Sequence, residues 1–187
     1  QTSVYNSPYT DNAYVGYMYG STGASSYSAT HTNTTNSTIK GILDNWYKTN
    51  IEDKNYSKDV STEQGFCSDR KVATGHSSYT TLGYGTNATV YAPVDRLLTA
   101  NLSSWKTSQT PTLKCSQTND YFTVSGSSKG NKALTYPIGL ITSDEVVLAG
   151  GFGGSNNTSY YLYTNQNYWT MSPYSFNGSN AYVFRVH

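Results

Sequence analysis

Charged residues are scarce in this sequence. Lys, Arg, Asp and Glu make up 12% of its 187 residues, whereas soluble domains usually contain about 25%. Twelve basic residues against eleven acidic ones leave a net charge of +1. Binding to nucleic acid or to an anionic membrane needs clustered Lys and Arg. The composition therefore argues against a nucleic-acid partner and against binding to an anionic membrane.

Long hydrophobic runs are also missing. No apolar segment approaches the roughly 20 residues that a membrane-spanning helix needs, so we expect no membrane insertion of this segment. Gln1 does not open a signal peptide, and a start at glutamine suggests a processed or trimmed chain. The hydrophobic content of 36%, much of it in 19 tyrosines, is still enough for a core. We predict a single domain over residues 1–187, forming part of a longer parent chain.

Cysteine occurs only twice, as Cys67 and Cys115. The pair is compatible with a disulfide or with two free thiols. Solubility must come from Asn, Ser, Thr and Tyr, a composition common in extracellular and cell-surface proteins. Such a location is oxidising and favours the disulfide, which would constrain the unfolded chain by about 4 kcal/mol.

Two helices stand out in the sequence. The first is predicted by an apolar stripe at helical spacing, with Ser37 or Thr38 as its N-cap, and this stripe contains Ile39, Ile42, Leu43, Trp46 and Tyr47. Such stripes are usually buried, so Trp46 is expected in the core. The second helix is predicted by a capping box at residues 142–145 and ends at Gly150 and Gly151.

Strands are predicted where apolar and polar residues alternate. Residues 13–19 and 121–125 show this pattern, while residues 21–35 are expected to form a long surface loop. Residues 168–187 predict a closing hairpin with a Ser-Pro turn and a polar tip at residues 177–180. The expected class is α+β, with two main helices, short and mostly antiparallel strands, and long loops. The neighbours Asp69 and Arg70 are expected to form an ion pair that locks a loop.

Two motifs carry a family resemblance. Residues 137–151 read Pro-Ile-Gly-Leu-Ile-Thr-Ser-Asp-Glu-Val-Val-Leu-Ala-Gly-Gly, and residues 168–174 read Tyr-Trp-Thr-Met-Ser-Pro-Tyr. This order resembles the formylglycine-generating-enzyme-like branch of the C-type lectin fold, in which a helix and a Gly-Gly stop precede a tryptophan-rich stretch and a closing strand. The whole chain also resembles extracellular bacterial surface proteins of the gut Firmicutes type, on motifs at residues 44–50, 66–70, 113–115, 134–145 and 168–173.

The resemblance covers residues 11–186 and implies a C-type-lectin-like fold. Such relatives usually carry further strands before the position of Gln1 and after that of His187. The variable proteins of diversity-generating retroelements use the same fold and place their ligand face in the C-terminal strands and loops. The resemblance therefore directs attention to the end of this chain.

The sequence lacks the residues that several chemistries require. Formylglycine generation needs reactive cysteines near the C-terminus, and none follows Cys115. The Glu-Pro-Asn and Trp-Asn-Asp triplets of calcium-dependent lectins are absent, although the oxygen-rich loops are compatible with a structural calcium ion. His31, His76 and His187 are isolated, which argues against zinc. Residues 126–130 match a hydrolase nucleophile pattern without its strand–helix context, so we expect no enzymatic activity.

Aromatic residues interleaved with Asn, Ser and Gly are typical of a binding surface. Tyr and Trp supply rigid contact area, and Asn, Ser and Gly supply adaptable hydrogen bonds. The predicted ligand-binding residues are Tyr168, Trp169, Tyr174, Phe176, Asn177, Asn180, Tyr182 and Arg185. The alternative is a core hairpin in which these aromatics are buried, and Trp169 is the member most expected there. Alternate strand residues face opposite ways, so we expect some of these residues to be exposed for binding and others to be buried in the core.

Two functions from different classes fit this face. The first is a recognition or adhesion domain that binds a glycan or a protein surface. The second is the structural subunit of a surface filament or layer, in which the Tyr-rich, weakly charged faces would join copies into a homo-oligomer.

Overall fold

The protein is an α+β domain, as the sequence predicts. The computed structural model describes residues 3–151 and 157–186. In this part of the chain the α-helices are α1 (Tyr27–Thr30), α2 (Thr38–Tyr47), α3 (Ala92–Leu97) and α4 (Ser143–Leu148). The strands are β1 (Met18–Tyr19), β2 (Thr35–Asn36), β3 (Phe66–Cys67), β4 (Thr89–Val90), β5 (Tyr121–Phe122), β6 (Tyr168–Phe176) and β7 (Ala181–Val186). None of the helices in the described ranges is long and apolar enough to cross a membrane.

The strands form small antiparallel sheets. β1 pairs with β2, β3 pairs with β5, and β6 lies between β4 and β7. The β6–β7 hairpin confirms the predicted closing hairpin, with Trp169 opposite Arg185 and Ser175 opposite Tyr182. The register shifts on both sides of Pro173. The predicted Ser-Pro turn is therefore wrong, because Ser172 and Pro173 lie within the continuous strand β6 at an irregularity in its pairing.

Helix α2 confirms the first predicted helix but not the burial of its tryptophan. Ser37 is the N-cap, and its side chain accepts a hydrogen bond from the backbone N–H of Lys40. The buried residues of α2 are Ile39, Lys40 and Tyr47, so the face turned to the core includes two residues of the predicted stripe but is centred to one side of it. Trp46 lies at the edge of that face and is 47% exposed.

Helix α4 confirms the predicted capping box. The Thr142 hydroxyl accepts a hydrogen bond from the N–H of Glu145, and the Glu145 carboxylate accepts one from the N–H of Thr142. Gly150 follows the helix with φ of +91°, a left-handed conformation that glycine adopts without strain. α3 is as long as α4, six residues each.

The N-terminal part differs from its prediction. Residues 13–19 were expected to be one strand, but Asn12–Val15 is a 3-10 helix and β1 has only two residues. The Asp11 carboxylate caps the 3-10 helix by accepting a hydrogen bond from the N–H of Ala13. Such local side-chain hydrogen bonds compete with strand formation. The predicted loop at residues 21–35 likewise contains α1, and the predicted strand at 121–125 shortens to β5.

The β6–β7 hairpin connects two hydrophobic clusters. The first includes Met171 of β6 together with Tyr5, Tyr17, Met18, Ile39, Phe122, Val124 and Leu134. The second includes Phe184 of β7 together with Ala73, Val90, Val94, Leu97 and Leu98. The hairpin is therefore fixed by packing on both sides, which gives a binding surface built on it a rigid support.

Covalent and ionic links join distant segments. Cys67 and Cys115 form the predicted disulfide, with Cα atoms 5.6 Å apart. The predicted Asp69–Arg70 ion pair is wrong. Arg70 forms its ion pair with Asp120, and both side chains are fully buried. Asp69 pairs with Arg96 at 2.6 Å.

Candidate functional site

A groove of about 190 Å³ opens between the N-terminal segment and the β6–β7 hairpin. Its aromatic residues are Tyr5, Tyr9, Tyr14, Trp169 and Tyr182. Its other lining residues are Val4, Asn6, Ala181 and Val183. We call this feature the aromatic groove. It is the place where residues of the predicted ligand face lie beside aromatic residues from the opposite end of the chain.

The aromatic groove has exposed rings above a buried base. Tyr9 is 54% exposed and Tyr182 is 43% exposed, whereas Tyr5 and Tyr14 are buried. Large exposed rings are available for contact with a ligand, while the buried tyrosines are fixed by packing. The two exposed tyrosines are therefore the first candidates for direct ligand contact.

Trp169 is held in place by three neighbours. Its ring lies edge-to-face with that of Tyr5, with centroids 6.1 Å apart. Its indole Nε1–H donates a hydrogen bond of 2.9 Å to the carbonyl of Ser3. The guanidinium of Arg185 lies 6.0 Å from the centroid of the indole ring, within the range of a cation–π contact. Trp169 is thus an ordered, half-buried part of the groove wall.

The N-terminal wall of the groove is tied to the rest of the fold. The backbone N–H of Ile39 donates a hydrogen bond of 3.0 Å to the carbonyl of Tyr5. The side-chain oxygen of Asn6 accepts a hydrogen bond from the N–H of Thr38 at 3.3 Å. Further along, the N–H of Ala181 donates to the carbonyl of Tyr9 at 2.8 Å. These bonds hold the wall in place before a ligand arrives, which lowers the entropic cost of binding.

The rim of the groove carries amide groups from the hairpin tip. The side-chain nitrogens of Asn177 and Asn180 each lie 3.4 Å from the hydroxyl of Tyr182. The side-chain oxygen of Asn177 accepts hydrogen bonds from the N–H groups of Ser179 and Asn180. The tip therefore presents amide donors whose positions are fixed by a local turn.

Two polar atoms of groove residues have no hydrogen-bond partner among the described residues. The Tyr5 hydroxyl and the Asn6 side-chain nitrogen are both buried without a hydrogen bond. Burial raises the pKa of the Tyr5 phenol, so this group stays a neutral donor at physiological pH. Each such unpaired buried group costs about 1–3 kcal/mol. Unpaired donors beside a groove favour a ligand that brings acceptors.

The structure places the predicted ligand-binding residues in two sets. Trp169 and Tyr182 line the aromatic groove. Asn177 and Asn180 contact the Tyr182 hydroxyl, and Arg185 lies over the Trp169 ring. These five residues are brought together at one surface.

The other three predicted residues have structural roles. Phe176 is fully buried and belongs to the core. The Tyr174 ring packs against Phe184, with centroids 5.1 Å apart, and its hydroxyl donates a 2.6 Å hydrogen bond to the carbonyl of Leu102. Tyr168 is half-buried with its hydroxyl enclosed, and this burial raises its pKa, with the nearby Tyr160 adding to the shift. We therefore remove all three from the ligand face.

The sequence interpretation missed the N-terminal half of the groove. Tyr5, Tyr9 and Tyr14 line it, but they are more than 150 positions from the hairpin in the sequence. The one available signal was the frequency of tyrosine in the first 19 residues. That signal does not reveal which surface the rings share.

A second cleft, of about 380 Å³, lies beside the disulfide. Arg96 in this cleft donates to both oxygens of Asp144, at 2.7 and 3.0 Å, and to Asp69 at 2.6 Å. Asp144 also accepts from the N–H of Thr112 at 3.0 Å. These charged groups satisfy one another and hold segments together, so we assign them a structural role.

Potential metal ligands do not point to a further site. Within residues 3–151 and 157–186, no group of three or more His, Cys, Asp or Glu side chains is placed to hold a metal ion. His187, noted above as isolated in the sequence, lies outside the described residues.

No protein-family model, curated protein or solved structure matches this chain.

Proposed function

We propose that this protein is a non-enzymatic, extracellular recognition or adhesion domain that binds a glycan or a protein surface through the aromatic groove. The observation that carries the proposal is the pair of exposed rings, Tyr9 and Tyr182, above a fixed base of Tyr5, Tyr14 and Trp169. Exposed aromatic rings on a rigid support give contact area at a low cost in conformational entropy.

The surroundings of the groove support recognition. Its lining combines apolar rings with a few polar groups, the composition expected of a small-ligand site. The amides of Asn177 and Asn180 add donors at the rim. Contact and hydrogen bonding are sufficient for binding, and neither requires a reaction at these groups.

An extracellular location is supported by the covalent chemistry. The Cys67–Cys115 disulfide is a kind of link that persists mainly in oxidising compartments. The resemblance of the chain to C-type-lectin-like bacterial surface proteins points the same way, and we propose that fold type within the α+β class.

Replacing both exposed tyrosines should abolish recognition without unfolding the domain. We expect Tyr9→Ala/Tyr182→Ala to weaken binding by about 100-fold, since one well-placed ring contributes about tenfold. The melting temperature should change by only a few degrees, because both rings are largely exposed. Binding to a glycan panel and to bacterial surface preparations, with calcium and with chelator, measures the effect.

The matched control is Tyr56→Ala, because Tyr56 is also 54% exposed and does not line the groove. This variant should bind like the wild type. Equal binding by the double variant would contradict the proposal. An absence of binding to every preparation, with self-association at high protein concentration, would instead favour the structural subunit of a filament or layer.

A further inference from the structure

We infer that the aromatic groove takes an electrically neutral sugar ring of a glycan chain, and not an acidic sugar or a peptide segment. This inference rests on the proposed function and specifies its ligand. Four properties of the groove lead to it: the charge of its lining, the distribution of its polar atoms, its shape, and the state of the neighbouring strand edge.

Among residues 3–151 and 157–186, those that line the groove carry no charge. These nine residues are Tyr, Trp, Val, Ala and Asn. One cation beside the groove is Arg185, whose guanidinium lies over the Trp169 ring. A carboxylate brought into the groove would lose water without gaining a cation in the lining, which is costly. The groove therefore favours a neutral ligand over an acidic one.

The polar atoms around the groove favour a ligand rich in hydroxyl groups. The Tyr5 hydroxyl and the Asn6 amide nitrogen are buried and unpaired. A hydroxylated ligand can offer acceptors to such donors, whereas a hydrocarbon cannot. The bonds from Asn177 and Asn180 to Tyr182 are long, at 3.4 Å, so a ligand hydroxyl can replace them at little cost.

The shape of the groove suits one ring at a time. Its volume of about 190 Å³ is smaller than the roughly 300–1,000 Å³ of sites that enclose drug-sized ligands. The exposed rings of Tyr9 and Tyr182 offer flat apolar faces with hydroxyl ends. A sugar ring has apolar C–H groups on its face and hydroxyls at its edge, and so matches both parts.

The strand edge beside the groove argues against a peptide that binds by strand addition. Peptides commonly bind by adding a strand to an open sheet edge. At the groove, the N–H of Ala181 in β7 already donates to the carbonyl of Tyr9, at 2.8 Å. The N-terminal segment at Tyr9 therefore occupies this position of the β7 edge, and a peptide that added a strand here would have to displace that segment.

The test uses the whole chain and defined probes. Cellohexaose, chitohexaose and mannohexaose serve as neutral probes, oligogalacturonate as an acidic probe, and a proline-rich decapeptide as the peptide probe. We expect saturable binding of at least one neutral probe. Its affinity should change little between about 0.05 and about 0.5 M NaCl, because no charge pair is formed.

Variants of one residue separate ring contact from folding. Tyr9→Ala should weaken binding of the neutral probe by about tenfold, whereas Tyr9→Phe, which keeps the ring, and Tyr56→Ala should bind nearly as well as the wild type. Preferential binding of oligogalacturonate that falls steeply with salt, or binding of the peptide alone, would overturn the neutral-sugar inference. If Tyr9→Ala weakened that other ligand, the proposed function would still stand. Probes bound equally by wild type and Tyr9→Ala would contradict both.

Discussion

Replacing Arg70 with alanine is expected to lower the free energy of unfolding by about 3–5 kcal/mol. Arg70 is the largest fully buried side chain in the described part of the chain. Its Nε–H donates to the Asp120 carboxylate at 2.7 Å, Nη1 donates to the carbonyl of Met18 at 2.8 Å, and Nη2 donates to Asn33 at 2.8 Å. Its guanidinium also lies 5.6 Å from the Phe122 ring centroid. One side chain thus joins four segments.

The expected loss of stability is large because Asp120, the partner of Arg70, would remain buried. Without Arg70, the fully buried Asp120 carboxylate would lose its counter-charge, which is far more costly than losing an exposed ion pair. Urea unfolding measures the change, with Lys58→Ala as an exposed control. Arg70→Ala/Asp120→Ala should cost clearly less than the sum of the single variants, since it removes the isolated charge. A loss below about 1 kcal/mol for Arg70→Ala would show that this network does not hold the fold together.

Acidification from pH 7 to pH 4.5 is expected to destabilise the protein through His31. This histidine is 1% exposed. Burial, with the charge of Arg70 as the second cause, lowers the pKa of His31 from 6.5 to about 3. Its Nε2 lies 3.1 Å from the carbonyl of Gly83, which can only accept a hydrogen bond, so Nε2 carries the proton of the neutral ring.

The direction of the effect follows from which state binds the proton. Well above pH 6.5 neither state protonates His31, so its titration does not lower the stability there. Between pH 6.5 and pH 3 the unfolded chain takes up a proton that the folded protein does not. The free energy of unfolding should therefore fall by up to about 1.4 kcal/mol per pH unit, or about 5 kcal/mol over the whole window.

Variants test this assignment. In His31→Gln the fall of stability between pH 7 and pH 4.5 should become clearly shallower, whatever the stability of the variant at pH 7. His76→Gln, which removes the histidine facing Asp95, should keep the steep fall. Equal pH dependence in wild type and His31→Gln, measured by urea unfolding at several pH values, would contradict the role of His31.

The features that the sequence predicted well depend on neighbouring residues. The Ser37 cap of α2, the capping box of α4 and the β6–β7 hairpin are each encoded within a few positions. Local hydrogen bonds and periodicity decide such elements. The disulfide followed from composition, since only two cysteines were available.

The features that the sequence did not predict depend on distant residues. Arg70 pairs with Asp120 and not with its neighbour Asp69, because the folded chain brings Asp120 to it. Trp46 belongs to an apolar stripe, but the side of α2 that packs on the core is set by other segments. The same limit applies to the site. The hairpin residues of the groove could be proposed from local pattern, whereas its N-terminal wall could not.

The measurement that tests the aromatic groove most directly is a titration followed by the indole N–H resonances of the three tryptophans. Trp169 lies in the groove, Trp46 is exposed on α2, and Trp105 packs near Phe184, so the last two serve as internal controls. With the strongest-binding probe, we expect a saturable shift of the Trp169 resonance and of the backbone amides of Tyr9 and Tyr182. Trp46 and Trp105 should be unaffected. Saturable shifts at Trp46 or Trp105, with Trp169 unchanged, would place recognition elsewhere on the molecule and contradict the account.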